Sequence, residues 1–287
     1  MYALKAYNQN NMNINDATKA ICNKHNIHPK RSKGQNFLVN EDVYENIVNY
    51  AGIKNTDKIL EVGPGLGFLT QRLSETAKEV LAVELDNELY KYLEYKIESE
   101  KLDNVQLINE DILKFDIGQM GKEYLVVANL PYNITSYFLR TIYSAVNKPK
   151  LMVLMLQKEV AERIVAKAPR ISMLGVSVQF YADAEIVRQV KASSFWPVPK
   201  VDSAIIKLVT KKMNDLINED AFFQLVKAGF SAKRKQLKNN LVKSFNISQK
   251  DCEIIFNNAG IKINSRAQEL SLEKWFELFG IFKKFVL

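Results

Sequence analysis

The sequence predicts an α/β protein in which a mainly parallel sheet covered by helices is followed by a small all-helical domain. Three observations predict it. From Lys58 to Thr210, short runs rich in Val, Ile and Leu alternate with amphipathic stretches of helical length, the pattern of strands buried on both faces. Beyond about Lys211 only helical periodicity remains. The length of 287 residues exceeds one ordinary domain and allows a large unit plus a smaller one.

Residues 1–32 read as a basic N-terminal arm, with an Asn-rich stretch at Asn8–Asn15 expected to be mobile. Residues 33–210 are assigned to the α/β domain and 211–287 to the helical one. Within the first, residues 41–51 form a helix, with Val43, Ile47, Val48 and Tyr50 partly on one face. Strands follow at Lys58–Val62, Glu79–Glu84, Val105–Asn109, Tyr124–Ala128 and Leu151–Leu156. Two more apolar runs, Glu185–Val190 and Ser203–Val209, have no convincing helix between them and are expected to pair antiparallel at one edge of the sheet. Helices are expected at Ala221–Ser231, Lys233–Ser244, Gln249–Asn258 and Leu272–Phe282.

Composition narrows the function classes. With 47% hydrophobic and 25% charged residues the chain has enough apolar side chains for a full core. The longest apolar run, Leu151–Leu156, is far short of the ~20 residues of a membrane-spanning helix. Cys22 and Cys252 imply no disulfide framework, and the start of the chain has neither an apolar signal core nor an arginine before Arg31, so a cytoplasmic location is expected. Cys22, His25 and His28 are spaced like metal ligands, but a fourth ligand is lacking and no metal is expected. A monomer is the default expectation.

The formal charge of +8 is unevenly spread: residues 1–40 carry +5, residues 211–287 carry +6 and the middle carries −3. Such a distribution suits a core that handles a small molecule between flanks that neutralise a polyanion. Lysines that merely solubilise the chain are the competing explanation.

Chemistry enters with Glu61-Val62-Gly63-Pro64-Gly65-Leu66-Gly67, a strand running into a glycine-rich turn before a helix. Glycines there admit a nucleotide-like ligand close to the backbone, and the helix start offers free amides. A dinucleotide fingerprint would place its third glycine at position 68, which is Phe68; the G-x-G-x-G spacing favours S-adenosylmethionine instead. Glu84, ending the second strand nineteen residues after Gly65, can accept from both ribose hydroxyls. Asp111, just past the third strand, can accept from the adenine amine of the cofactor.

Asn129-Leu130-Pro131-Tyr132 follows the fourth strand. An adenine exocyclic nitrogen is a poor nucleophile because its lone pair is delocalised into the ring. Acceptors at its two N–H groups, the Asn129 amide oxygen and the Leu130 carbonyl, would localise that pair. Pro131 stiffens the turn, and Tyr132 offers a ring for the unstacked base. The basic run Lys227, Lys233, Arg234, Lys235, Lys238 and Lys243 has no acid within it. Phe230, Leu237 and Leu241 recur at helical spacing and can anchor it as a helix whose cations face RNA phosphate; a solvated basic helix is the alternative.

These motifs, with Gly34-Gln35-Asn36-Phe37-Leu38, Leu156-Gln157-Lys158-Glu159-Val160-Ala161-Glu162-Arg163, Phe195-Trp196-Pro197-Val198-Pro199-Lys200-Val201-Asp202-Ser203-Ala204 and Phe230–Leu241, resemble the KsgA family of small-subunit rRNA adenine dimethyltransferases over about residues 33–278. Lys233 stands where that family usually has arginine, which keeps the charge and loses the planar fork. The resemblance implies a Rossmann-like methyltransferase that uses S-adenosylmethionine to methylate, twice each, two adjacent adenines in a hairpin near the 3′ end of small-subunit rRNA. It implies cofactor contacts at Asn36, Leu38, Gly63, Glu84, Asp111 and Asn129, and a second aromatic beside the target base at Phe195. The Erm group, which acts on large-subunit rRNA, shares the N-x-P-Y motif, and a binding factor that has lost catalysis is the alternative of a different class.

Overall fold

The computed structural model describes residues 12–30, 34–212 and 217–286. These form two compact units: residues up to 161 together with 185–210, and residues 162–184 together with 211 onward.

The first unit begins with α1 (Ile14–Lys24). Asn13 caps it by accepting from the Asp16 amide, and Ile14, Ala17, Thr18 and Cys22 are buried. Of the Asn-rich stretch read as mobile, Asn13–Asn15 cap and begin this helix, whose buried face packs into the core; residues 8–11 lie outside the described residues. Its asparagines mask an apolar spacing of three and four residues. After β1 (Phe37–Leu38) comes α2 (Glu41–Ala51), which shows how local chemistry sets element ends. The Asn40 side chain accepts from Val43 N, Glu41 and Asp42 favour the positive end of the helix dipole, and Gly52 closes it in the left-handed region.

The sheet then alternates strand and helix: β2 (Lys58–Val62), α3 (Phe68–Ser74), β3 (Glu79–Glu84), α4 (Asn87–Glu100), β4 (Val105–Asn109), β5 (Tyr124–Asn129), α5 (Thr135–Ser144) and β6 (Leu151–Gln157). Next come α6 (Lys158–Val165), α7 (Met173–Tyr181), β7 (Ala182–Val190), β8 (Phe195–Trp196) and β9 (Ser203–Thr210). The seven-stranded order is β4-β3-β2-β5-β6-β9-β7, with β2 to β6 parallel and β9 antiparallel to β6. This is a Rossmann-like sheet with one antiparallel strand inserted near its edge. Strand order reverses between β2 and β5, and at such a switch point the diverging loops leave a crevice at the carboxyl ends of the strands. A separate ribbon pairs β1 with β8, Phe37 opposite Trp196 and Leu38 opposite Phe195.

The second unit contains α8 (Glu219–Gly229), α9 (Leu237–Phe245), α10 (Gln249–Asn258) and α11 (Leu272–Val286). Residues 162–184, which the sequence reading puts in the α/β domain, group with these helices. The Phe180 ring lies 4.9 Å from Phe222 and 5.7 Å from Phe276, and Tyr181 donates to Glu219 at 2.6 Å. Gly229 is required where it stands, since a Cβ there would sit 2.5 Å from the Trp275 ring. No helix among the described residues is long and apolar enough to cross a membrane.

Candidate active site

A cavity of about 320 Å³ opens at the switch point, lined by the β1 segment, the glycine loop, the ends of β3 and β5, and the turns after β4 and β5. Most of the residues singled out in the sequence meet there: Asn36, Leu38, Gly63, Gly65, Glu84, Asp111, Asn129, Leu130, Pro131 and Tyr132.

Gly63, Gly65 and Gly67 all have φ between 62° and 72°, a region costly for other residues. At Gly67 space is also closed, because a Cβ would lie 2.7 Å from Leu93 Cδ2. Glu84 is 5% exposed and its two carboxylate oxygens accept from Gly65 N at 3.1 Å and Asp86 N at 2.8 Å. Burial raises its pKa, opposed by those amide donors. Lys30 donates to Asp86 at 3.2 Å and pairs with Glu88 at 2.9 Å, which ties the N-terminal segment to the start of α4. Asp111 is half-buried; one of its oxygens accepts from Leu113 N at 3.0 Å.

Glu61 is a residue to which the sequence reading gives no role. It is 1% exposed, neither oxygen has a hydrogen-bond partner within bonding distance among the described residues, and burial, opposed by the nearby Thr70 hydroxyl, pushes its pKa up to about 8. An acid inside an otherwise apolar strand was the available signal. Because its folded pKa lies above the ordinary carboxylate value, the folded state holds the extra proton. The penalty is absent below about pH 4.5, grows as pH rises and is complete above about 8. Glu61→Gln should therefore raise the melting temperature of the ligand-free protein at pH 8.5 by more than at pH 5. An equal shift at both pH values in thermal denaturation would contradict this assignment.

Beyond β5, Leu130 N donates to Met155 O at 3.1 Å, which fixes the turn onto β6. Among the described residues no hydrogen bond engages the Asn129 side-chain amide or the Leu130 carbonyl. Tyr132 is half-buried, and its hydroxyl is 2.6 Å from Ser203 Oγ at the start of β9. Ser203 is fully buried, so this contact anchors the ring from behind. Ser203→Ala should lower kcat by about 3- to 10-fold, the range of one neutral hydrogen bond, with donor affinity unchanged. Equilibrium binding alongside steady-state rates checks it.

Phe195 requires a correction. It does not line the cavity; it is 2% exposed within the hydrophobic core. Pairing of β8 with β1 puts Leu38 opposite Phe195 and Phe37 opposite Trp196. The Phe37 and Trp196 rings stack at 6.5 Å, and it is Phe37 that lines the cavity.

The basic run of the second unit also differs from expectation. Lys233, Arg234 and Lys235 are exposed in a turn before α9, which starts only at Leu237. Asn240 holds that turn, donating to Gly229 O at 2.6 Å and Ala232 O at 3.2 Å. Lys227 is exposed, whereas Lys238 is mostly buried and pairs with Glu253 at 3.0 Å, so it is not a free cation. Arg234 and Lys235 share a polar cleft with Lys262 and Arg266, two cations from a distant loop that local sequence reading does not connect to them. Among the described residues, no group of three or more His, Cys, Asp or Glu is placed to hold a metal ion. Cys22 is buried, and His25 packs edge-on to Tyr92 at 4.9 Å.

Residues 26–284 match the family model described as ribosomal RNA adenine dimethylase. The chain belongs to the ribosomal RNA adenine dimethylase family. It is 41% identical over 265 residues to ribosomal RNA small subunit methyltransferase A of Dehalococcoides mccartyi (strain CBDB1), covering 91% of this chain and 90% of that one. A protein of the same name from Clostridium botulinum (strain Langeland / NCTC 10281 / Type F) is 39% identical over 268 residues, covering 91% and 96%. Among solved structures, a dimethyladenosine transferase from Plasmodium falciparum superposes with a TM-score of 0.77 at 28% identity, covering 86% and 98%. The 23S rRNA methyltransferase ErmE superposes with a TM-score of 0.71 at 26% identity, covering 86% and 100%.

As a member of this family the chain is an S-adenosylmethionine-dependent rRNA adenine dimethyltransferase. The cavity fits that donor on its own evidence. The glycine cradle leaves room for a ligand against backbone, and Glu84 and Asp111 place carboxylate acceptors on the cavity wall. Glu61, whose buried carboxyl has no hydrogen-bond partner within bonding distance among the described residues, also lines the cavity.

Proposed function

We propose that this chain dimethylates two adjacent adenines in a hairpin near the 3′ end of small-subunit rRNA, acting as a monomer on a pre-ribosomal particle in the cytoplasm. The observation that carries the chemistry is the pair of acceptors left unused among the described residues, the Asn129 amide and the Leu130 carbonyl, beside the anchored ring of Tyr132.

When bound, S-adenosylmethionine supplies a methyl group on a positively charged sulfur. Glu84 and Asp111 hold its ribose and adenine, with Asn36, Leu38, Gly63 and Gly65 forming the wall. Tyr132 stacks the unstacked target base, an interaction worth about 1–3 kcal/mol in single-stranded complexes. Asn129 and Leu130 accept the two N–H groups in the first transfer, and one of them accepts the remaining N–H in the second. This draws the nitrogen lone pair out of the ring system and directs it toward the methyl carbon, and the proton displaced by each new N–C bond leaves to solvent. Lys227, Lys233, Arg234 and Lys235, with Lys262 and Arg266, neutralise RNA phosphate.

Small-subunit RNA is favoured over large-subunit RNA by the relatives' names at 39–41% identity, against 26% for ErmE. The test is transfer of labelled methyl groups to purified immature small subunits, followed by mapping of the modified nucleotides. Dimethyladenine at two neighbouring positions of the small-subunit RNA is the expected result; label confined to large-subunit RNA, or none, overturns the reading.

A further inference from the structure

We propose that Tyr137 and Arg140 form a docking place for the nucleotide next to the target adenine, Tyr137 stacking its base and Arg140 neutralising its phosphate. This rests on the methyl-transfer reading and extends it to two residues outside the cavity.

Helix α5 begins where the cavity wall ends. Asn133 lines the cavity and is exposed. Asn133 stands in the turn just before the helix, and at 3.6 residues per turn positions 137, 140 and 144 fall within about 60° of one another and form a single ridge leading away from it. All four are exposed, while Phe138, Leu139, Ile142 and Tyr143 bury the opposite face. Tyr137 is 63% exposed, and the Arg140 guanidinium lies 5.8 Å from its ring centroid. The helix contains no acid, and among the described residues Arg140 has no ion-pair partner.

A lone surface tyrosine is ordinary. A tyrosine beside an unneutralised arginine, one helical turn from the mouth through which a base must enter, matches what single-stranded nucleic acid requires: a π-face for a base and a cation for its phosphate. The occupant is RNA because the substrate of the adjoining cavity is RNA, and its neighbouring nucleotides must cross this ridge or leave the surface.

The experiment measures kcat and KM for immature small subunits together with Kd for S-adenosylhomocysteine. Tyr137→Ala should raise the particle KM about tenfold, with kcat within about twofold and donor Kd unchanged, whereas Tyr137→Phe should keep the wild-type KM. Arg140→Ala should raise KM and reduce the salt dependence by about one unit of slope. An unchanged KM in Tyr137→Ala, or a rise that Phe does not rescue, overturns the proposal while leaving methyl transfer intact. Should wild type transfer no methyl group, the underlying reading fails, and direct particle binding by the same variants still decides the role of the ridge.

Discussion

Asn129→Ala should reduce kcat for methyl transfer by about 10²–10³-fold, the range for loss of one pre-organised hydrogen-bonding group at a reacting centre. The size follows from the chemistry. Without the amide oxygen, one N–H of the target amine has no acceptor and the lone pair stays conjugated with the ring. The main chain at this position is held independently, by the Asn129–Met155 register and the Leu130 to Met155 bond, so the fold should survive. Single-turnover rates with saturating particle and donor, beside a thermal melt, check both halves. A variant that retains more than a tenth of wild-type kcat would show that Asn129 does not orient the nitrogen.

Glu84→Ala should raise the Kd for S-adenosylhomocysteine by about 10²-fold or more, since hydrogen bonds to a charged acceptor are worth roughly 1.5–3 kcal/mol each and a ribose offers two. Binding to the small-subunit particle should change little, because the exposed cations lie elsewhere in the chain. Calorimetry for the small ligand and a filter assay for the particle separate the two effects. Equal loss of both affinities would mean that the substitution damages the whole unit rather than the ribose contact.

Much of the fold is legible because buried parallel strands have nowhere to place polar residues. β2, β3, β5 and β6 appear as dominantly apolar runs, broken in their interior only by Glu61 of β2, and end within a residue of the expected positions. The glycine loop and the Asn129–Tyr132 turn, both of which line the cavity, are legible for a related reason, since each packs its motif into consecutive residues. What escapes is set by pairing across distance. Phe195 is aromatic and adjacent to a recognisable motif, yet its direction depends on the register of β8 against β1, more than 150 residues earlier in the chain. Lys238 looks like its basic neighbours until Glu253 on the next helix claims it. Lys262 and Arg266 join Arg234 only once the chain has folded back. α1 escapes for a local reason: its helical stripe is built from Ile14, Ala17, Thr18 and Cys22, too weakly apolar to stand out among asparagines.

Both oxygens of Glu84 are in use before any ligand arrives, one clasping the amide of Gly65 and the other that of Asp86. The carboxylate thus staples the glycine turn to the loop leading into α4, so donor entry need not organise either segment and forfeits little chain entropy there. Amide protons at these two positions should accordingly resist deuterium exchange in the apo-protein almost as well as in the loaded one.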